Sequence, residues 1–121
     1  MSKIIRPEEE IVHGMIGGPG YLKRKALIES NGDLFNSGRT FAHIVLEKDC
    51  GVGYHIHNGD GEIYYILKGE AEYNDNGTVV TVKAGDVTHT LPGEGHGITN
   101  VKDEPMEMIA LILFEKQKEA E

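Results

Sequence analysis

From Thr40 to Phe114 the chain is a succession of short runs rich in β-branched and aromatic residues, separated by glycine, asparagine and aspartate. "TFAHIVLE" (40–47), "GYHIH" (53–57) and "EIYYILK" (62–68) come first. "GEAEYNDNGTVVTV" (69–82) follows and reads as a hairpin around Asn76-Gly77. Gly85-Asp86 then turns the chain into "VTHTL", "HGITNV" and the apolar "MEMIALILF" (106–114). Short strands at near-regular spacing predict a sandwich or barrel. Glycine supports this, at 16 of 121 residues, about twice its usual share of ~7%.

The length sets one domain, able to bury most of its apolar surface. Ahead of the strand-rich part, "RPEEE" is expected to open one helical turn, proline first and glutamates after. "GMIGGPGY" (14–21) reads as a turn-rich loop; a phosphate cradle would need a Gly-Lys-Ser/Thr ending and a following helix. "YLKRKALI" reads as an exposed or edge strand solubilised by Lys23, Arg24 and Lys25. The expected organisation is an N-terminal segment over 1–38 with a loop and an edge strand, packed on a barrel over 39–115. A charged, frayed tail follows over 116–121.

Twenty acids against twelve bases give a formal net charge of −8. Nucleic acid and anionic membrane surfaces are therefore excluded as partners of the whole surface. Cys50 is the only cysteine, so no intrachain disulfide or cysteine-based zinc cluster exists. No stretch approaches a membrane span and the first residues lack an apolar signal core, so a cytoplasmic protein is expected.

The chemistry concentrates in "GVGYHIHNGDGEIYYILKG" (51–69). Alternation puts His55 and His57 on one face of a strand, with Tyr54 and Ile56 on the other. "NGDG" then supplies a tight turn, and an antiparallel strand is expected to return with Glu62 opposite His57, Cβ atoms ~5 Å apart. Imidazoles beside a carboxylate suit a first-row divalent metal. Two surface histidines beside a turn glutamate are the plain alternative.

A second stretch, "GDVTHTLPGEGHGITN", carries Gly85, Gly93, His96 and Asn100. Together the two stretches resemble the paired motifs of the cupin superfamily, in the manner of a small single-domain microbial cupin of the cupin 2 type. His55, His57, Glu62 and Gly69 take the spacing of the first motif, and Gly85, Gly93, His96 and Asn100 that of the second. Two positions depart: the opening glycine of the first motif falls at Asp49, and the proline of the second is shifted from Leu91 to Pro92. The resemblance implies an all-β, double-stranded β-helix (a jelly-roll barrel). It also implies His55, His57, Glu62 and His96 as ligands of one divalent transition metal (Mn, Fe, Ni, Co or Zn), with up to two coordination positions open.

Tyr64 falls on the metal-facing side by counting from Glu62 and is a candidate catalytic hydroxyl or a core aromatic. His89 shares a face with Val87 and Leu91 and is expected either to line the cavity as a proton carrier or to be a core histidine. His43 carries the same two readings. Cys50 reads as a spectator thiol and Asn100 as a brace for backbone at a strand end. Arg39 could meet a carboxylate ligand. Cupins include dioxygenases, decarboxylases, sugar isomerases and plain ligand-binding domains. The leading expectation is a metal-dependent enzyme, of dioxygenase or decarboxylase type before isomerase, acting on an oxygen-rich chelating small molecule. The alternative is a non-catalytic metallo-cupin that binds a sugar or small acid. The resemblance further implies a homodimer.

Overall fold

The computed structural model describes residues 1–116; the rest of the expected frayed tail lies outside the described residues. The described residues form ten strands: β1 (Glu9–His13), β2 (Tyr21–Ile28), β3 (Gly38–Leu46), β4 (Gly51–Ile56), β5 (Asp60–Lys68), β6 (Glu70–Asp75), β7 (Thr78–Lys83), β8 (Val87–Thr90), β9 (Gly95–Thr99) and β10 (Met106–Phe114). They build two antiparallel sheets, β1-β2-β3-β10-β5-β8 and β4-β9-β6-β7. This is the all-β, double-stranded β-helix expected from the turn spacing and the motif resemblance.

Alternation decides what each strand buries. Ala42, Ile44 and Leu46 of β3 point inward, as do Met106, Met108 and Ala110 of β10 and Tyr64 and Ile66 of β5. They pack with Val52, Ala71, Tyr73, Val82 and Ile98 of the other sheet in one core. Removing such aliphatic groups from water stabilises by ~25 cal/mol per Å² and supplies the main driving force. The β6–β7 reversal uses Asn76 and Gly77, both at positive φ, which is the turn chemistry that matches strand twist.

The N-terminal expectations need two corrections. The "RPEEE" segment contains no helical turn: residues 1–8 are irregular and Glu9 already begins a strand. Propensity for a short isolated helix is weak, and pairing with β2 satisfies the backbone instead. Lys23, Arg24 and Lys25 lie on β2, which is not an edge, because β1 covers it. "GMIGGPGY" is turn-rich as expected, with one 3₁₀ turn over Met15–Gly17.

The two motif departures are accommodated by local backbone. Asp49 adopts φ 61°, the left-handed conformation for which glycine would be the default. Pro92 precedes Gly93, whose φ is 89°, and Glu94 N–H closes the turn on the Leu91 carbonyl at 3.0 Å. Proline in the second place and glycine in the third is the sequence a type II turn requires.

Candidate metal centre

β4 carries the first ligand, and its backbone is bent to do so. Val52 and His55 both face inward although strict alternation would put them on opposite faces. The β4–β9 register shifts between them, and that bulge re-aims the strand. Gly53 sits within the irregularity and its carbonyl accepts a hydrogen bond from His55 Nδ1 at 2.8 Å. His55 lies opposite His96 of β9. His57 follows just beyond β4, its N–H bonded to the Glu94 carbonyl and its carbonyl accepting from Gly93 N–H.

Glu62 arrives differently from the sequence expectation. β4 and β5 do not pair; they belong to opposite sheets, and β5 lies between β10 and β8. "NGDG" is therefore a corner that carries the chain from one sheet to the other, and Glu62 meets the histidines across the interior. The proximity of Glu62 to His57 was legible, its cause was not.

His55, His57, Glu62 and His96 form a group that could hold a metal ion, their ligand atoms all within 4.8 Å of one another. The three Nε2 atoms are 3.1, 3.1 and 3.2 Å apart. Glu62 Oε1 is 3.0 Å from His96 Nε2, 3.3 Å from His57 Nε2 and 3.9 Å from His55 Nε2. His57, Glu62 and His96 are buried and His55 is partly so. The opposite ring nitrogens explain the arrangement. His55 Nδ1–H donates to a carbonyl and His57 Nδ1–H donates to Asp60 Oδ1 at 2.6 Å. Neither acceptor can act as a donor, so both neutral rings turn a bare Nε2 lone pair inward. At His96, the hydroxyls of Tyr73 and Thr90 both lie 2.9 Å from Nδ1 and can accept its hydrogen. Two lone pairs, a third from His96 when its Nδ1 hydrogen goes to Tyr73 or Thr90, and a carboxylate oxygen thus converge on one point. That is a costly grouping unless a cation sits among them, so the donor set fits a divalent first-row metal.

Charge distribution agrees. Burial pushes Glu62 up, but His57 and His96 outweigh it: in the metal-free site a ring that takes up an Nε2 proton donates it to the carboxylate, which holds the carboxyl down at about 2. The hydrogen bond with Glu62 raises His57, aided by Asp60, whereas burial lowers His55. Arg39 Nε donates to Asp60 Oδ2 at 2.9 Å, completing a chain Arg39–Asp60–His57. Such outer partners fix ring orientation and raise ligand basicity.

Of the other sequence candidates, Tyr64 is at the site. It lines the cavity and stacks on the His96 ring with centroids 4.9 Å apart and planes 17° from parallel. Burial, then the neighbouring Glu62 carboxylate, pushes its phenol well above the ordinary value, so it can donate a hydrogen bond but not serve as a base. His89 is not at the site, and neither expectation for it holds. It is exposed on the outer face of β8, while Thr88 and Thr90 point inward. His43 also faces outward, 3.0 Å from Glu107. Cys50 is buried and outside the ligand group. Asn100 is fully buried and bonds the Leu46 and Glu104 carbonyls and Lys102 N–H. Arg39 lines the cavity beside the ligands. Sequence reasoning passed over Asp60, Tyr73 and Thr90. Only Asp60 had a local signal, three residues from His57, and it was absorbed into the turn.

A cavity of about 310 Å³ adjoins the ligand group, lined by His55, Glu62 and Tyr64, with Glu10 and Arg24 among its other lining residues. A double-stranded β-helix that gathers three histidines and a glutamate between its sheets defines a β-barrel of the cupin class with a candidate metal site. The family model of the cupin domain matches residues 42–112, and the chain belongs to that family. It is 40% identical over 113 residues to an oxalate-binding protein of Thermotoga maritima, covering 93% of this chain and 91% of the relative. The crystal structure of a predicted oxalate decarboxylase from Thermotoga maritima superposes with a TM-score of 0.89 at 38% identity, over 93% of this chain and all of that one. A Klebsiella pneumoniae protein with a double-stranded β-helix domain matches at a TM-score of 0.64 and 27% identity, over 83% and 87% of the two chains.

Proposed function

We propose that this cupin holds one divalent transition metal on His55, His57, Glu62 and His96 and binds there a small acid that chelates through two oxygens. The observation that carries the reading is the convergence of the Nε2 atoms while other groups hold the Nδ1 sides. A bound ion of this kind supplies Lewis-acid or redox activation of ligand oxygens. Four protein ligands leave up to two positions of a six-coordinate ion for the acid. Asp60 and Arg39 hold His57 in place, Tyr73 and Thr90 hold His96, and Tyr64 buttresses His96 by stacking. The oxalate named for the Thermotoga maritima relatives belongs to this ligand class.

Turnover of the bound acid, by decarboxylation or dioxygenation, is the second reading. It is favoured by Glu10, an acid on the cavity wall outside the ligand set that could carry a proton to or from the ligand. The expected homodimer belongs to the same proposal, supported by Tyr65, Leu67 and Val87 exposed on the outer face of the six-stranded sheet. Calorimetry with oxalate on metal-loaded and metal-free protein tests the binding claim. Metal-dependent binding supports it, and equal binding by both forms would place the ligand elsewhere. Release of carbon dioxide or consumption of oxygen in the same samples would favour the enzyme over the carrier.

A further inference from the structure

The cavity is larger and greasier than a two-carbon acid requires. Its volume of about 310 Å³ equals that of roughly ten liquid waters, several times what six heavy atoms of oxalate fill. Away from the ligand group Val12, Met15, Leu22, Ile44, Val52 and Ile112 make most of the wall, with Thr40 and the Glu10–Arg24 ion pair as its polar part. Leu22, Ile44, Val52 and Ile112 are buried core or near-core positions, and Val12 and Met15 pack against the core from the N-terminal segment.

The charged lining groups are already committed. Arg24 Nη1 donates to Glu10 Oε1 at 3.1 Å, and Arg39 Nε donates to Asp60. Arg39 keeps four of its five N–H donors and can meet the outward oxygen of one chelating carboxylate. A dicarboxylate such as oxalate would leave two outward anionic oxygens, and the second would have only Arg24, whose charge Glu10 already offsets, or hydrocarbon to face, where an unpaired charge is costly. A ligand that ends in hydrocarbon instead would remove both its own apolar surface and the cavity wall from water.

Resting on the chelating-acid reading above, we infer that the site is built for a 2-oxo or 2-hydroxy acid with an apolar side chain of several carbons. The acid end sits at the metal ligands and Arg39. The side chain fills the space between Val12, Met15, Leu22, Ile44, Val52 and Ile112.

The test is calorimetry on the full chain loaded with metal, using pyruvate, 2-oxobutanoate, 2-oxopentanoate and 4-methyl-2-oxopentanoate. 2-Oxoglutarate serves as a polar-tailed comparison and oxalate as a plain chelator. Each buried methylene should tighten binding about fourfold, so affinity should climb roughly 50-fold from pyruvate to the branched acid. 2-Oxoglutarate should bind more weakly than 4-methyl-2-oxopentanoate. A flat or falling series, or tighter binding of 2-oxoglutarate, would overturn the inference. If that happens while oxalate still binds only the metal-loaded protein, the chelating-acid reading survives alone. If no acid binds in a metal-dependent way, that reading fails as well. Val12→Phe and Met15→Phe, which fill the cavity from its N-terminal wall, should abolish the gain along the series and leave oxalate binding intact. A series unchanged in both variants would place the side chain elsewhere.

Discussion

Asp60→Asn is the most informative single substitution. Asp60 neither belongs to the ligand group nor lines the cavity, yet it accepts the Nδ1 hydrogen of His57 at 2.6 Å and holds Arg39 at 2.9 Å. Its side chain is 9% exposed, so water cannot replace those bonds from its side. Arg39 is 46% exposed and is resolvated readily, so its loss counts for little. The His57 bond matters more. Exchanging a charge-assisted bond, about 1.5–3 kcal/mol, for a neutral one of about 0.5–1.5 kcal/mol loses roughly 1–2 kcal/mol. An asparagine can also present its N–H₂ to Nδ1, which would favour the Nε2–H tautomer and cover the lone pair a metal needs. Together these predict a loss of about 10- to 100-fold in metal affinity, the range that outer-shell partners usually command. Metal affinity is read by chelator competition on the metal-free protein, with circular dichroism confirming the strand content. An affinity within twofold of the parent, matching a control such as Asp103→Asn on the exposed surface, would refute the argument that Asp60 orients the ligand.

Three further outcomes follow from the same geometry. Metal affinity should weaken as pH falls: His57, held above the ordinary imidazole value, takes up its proton first, and His55, held below it, later, while Glu62 stays ionised down to about 2. Titration between about pH 5 and 8 should therefore show affinity rising with pH, and a flat profile would contradict the imidazole ligand set. Gly53→Ala would drive a methyl group onto the Ile16 carbonyl, costing about 1–3 kcal/mol. Thermal unfolding should register several degrees of lost stability together with weaker metal binding, and an unchanged midpoint would mean the 3₁₀ turn yields freely. His89→Ala, on the outer face of β8, should change stability by less than ~0.5 kcal/mol and leave metal content untouched. Loss of metal would show that the outward placement of His89 is wrong.

Strand periodicity and turn residues made the barrel from β3 onward legible, because Ala42, Ile44 and Leu46 of β3, Tyr64 and Ile66 of β5 and Met106, Met108 and Ala110 of β10 alternate as one apolar face and each reversal carries glycine, asparagine or aspartate. The N-terminal strand was not legible. "RPEEE" is locally compatible with a helix start, and only pairing with β2 makes a strand of Glu9–His13. At the site, the gathering of His55, His57, Glu62 and His96 follows from motif spacing, whereas the route of Glu62 depends on which sheet β5 joins. The β4 bulge likewise depends on its pairing with β9, and alternation counted along the sequence has no knowledge of it. His89 failed for a related reason. Counting by twos assigns residues to two faces, but an apolar flank such as Val87 and Leu91 does not say which face is the interior. Asp60 had the right spacing from His57, but its hydrogen bond exists only because the corner folds back.

Three histidines and one glutamate should seat one metal ion per chain. Elemental analysis after metal reconstitution and desalting, run beside the His55→Ala/His57→Ala double variant, tests it most directly. The parent chain should carry close to one metal ion and the variant close to none, with strand content preserved in both. A parent chain that retains no metal, or a variant that retains it in full, would mean that these four side chains are not a metal site.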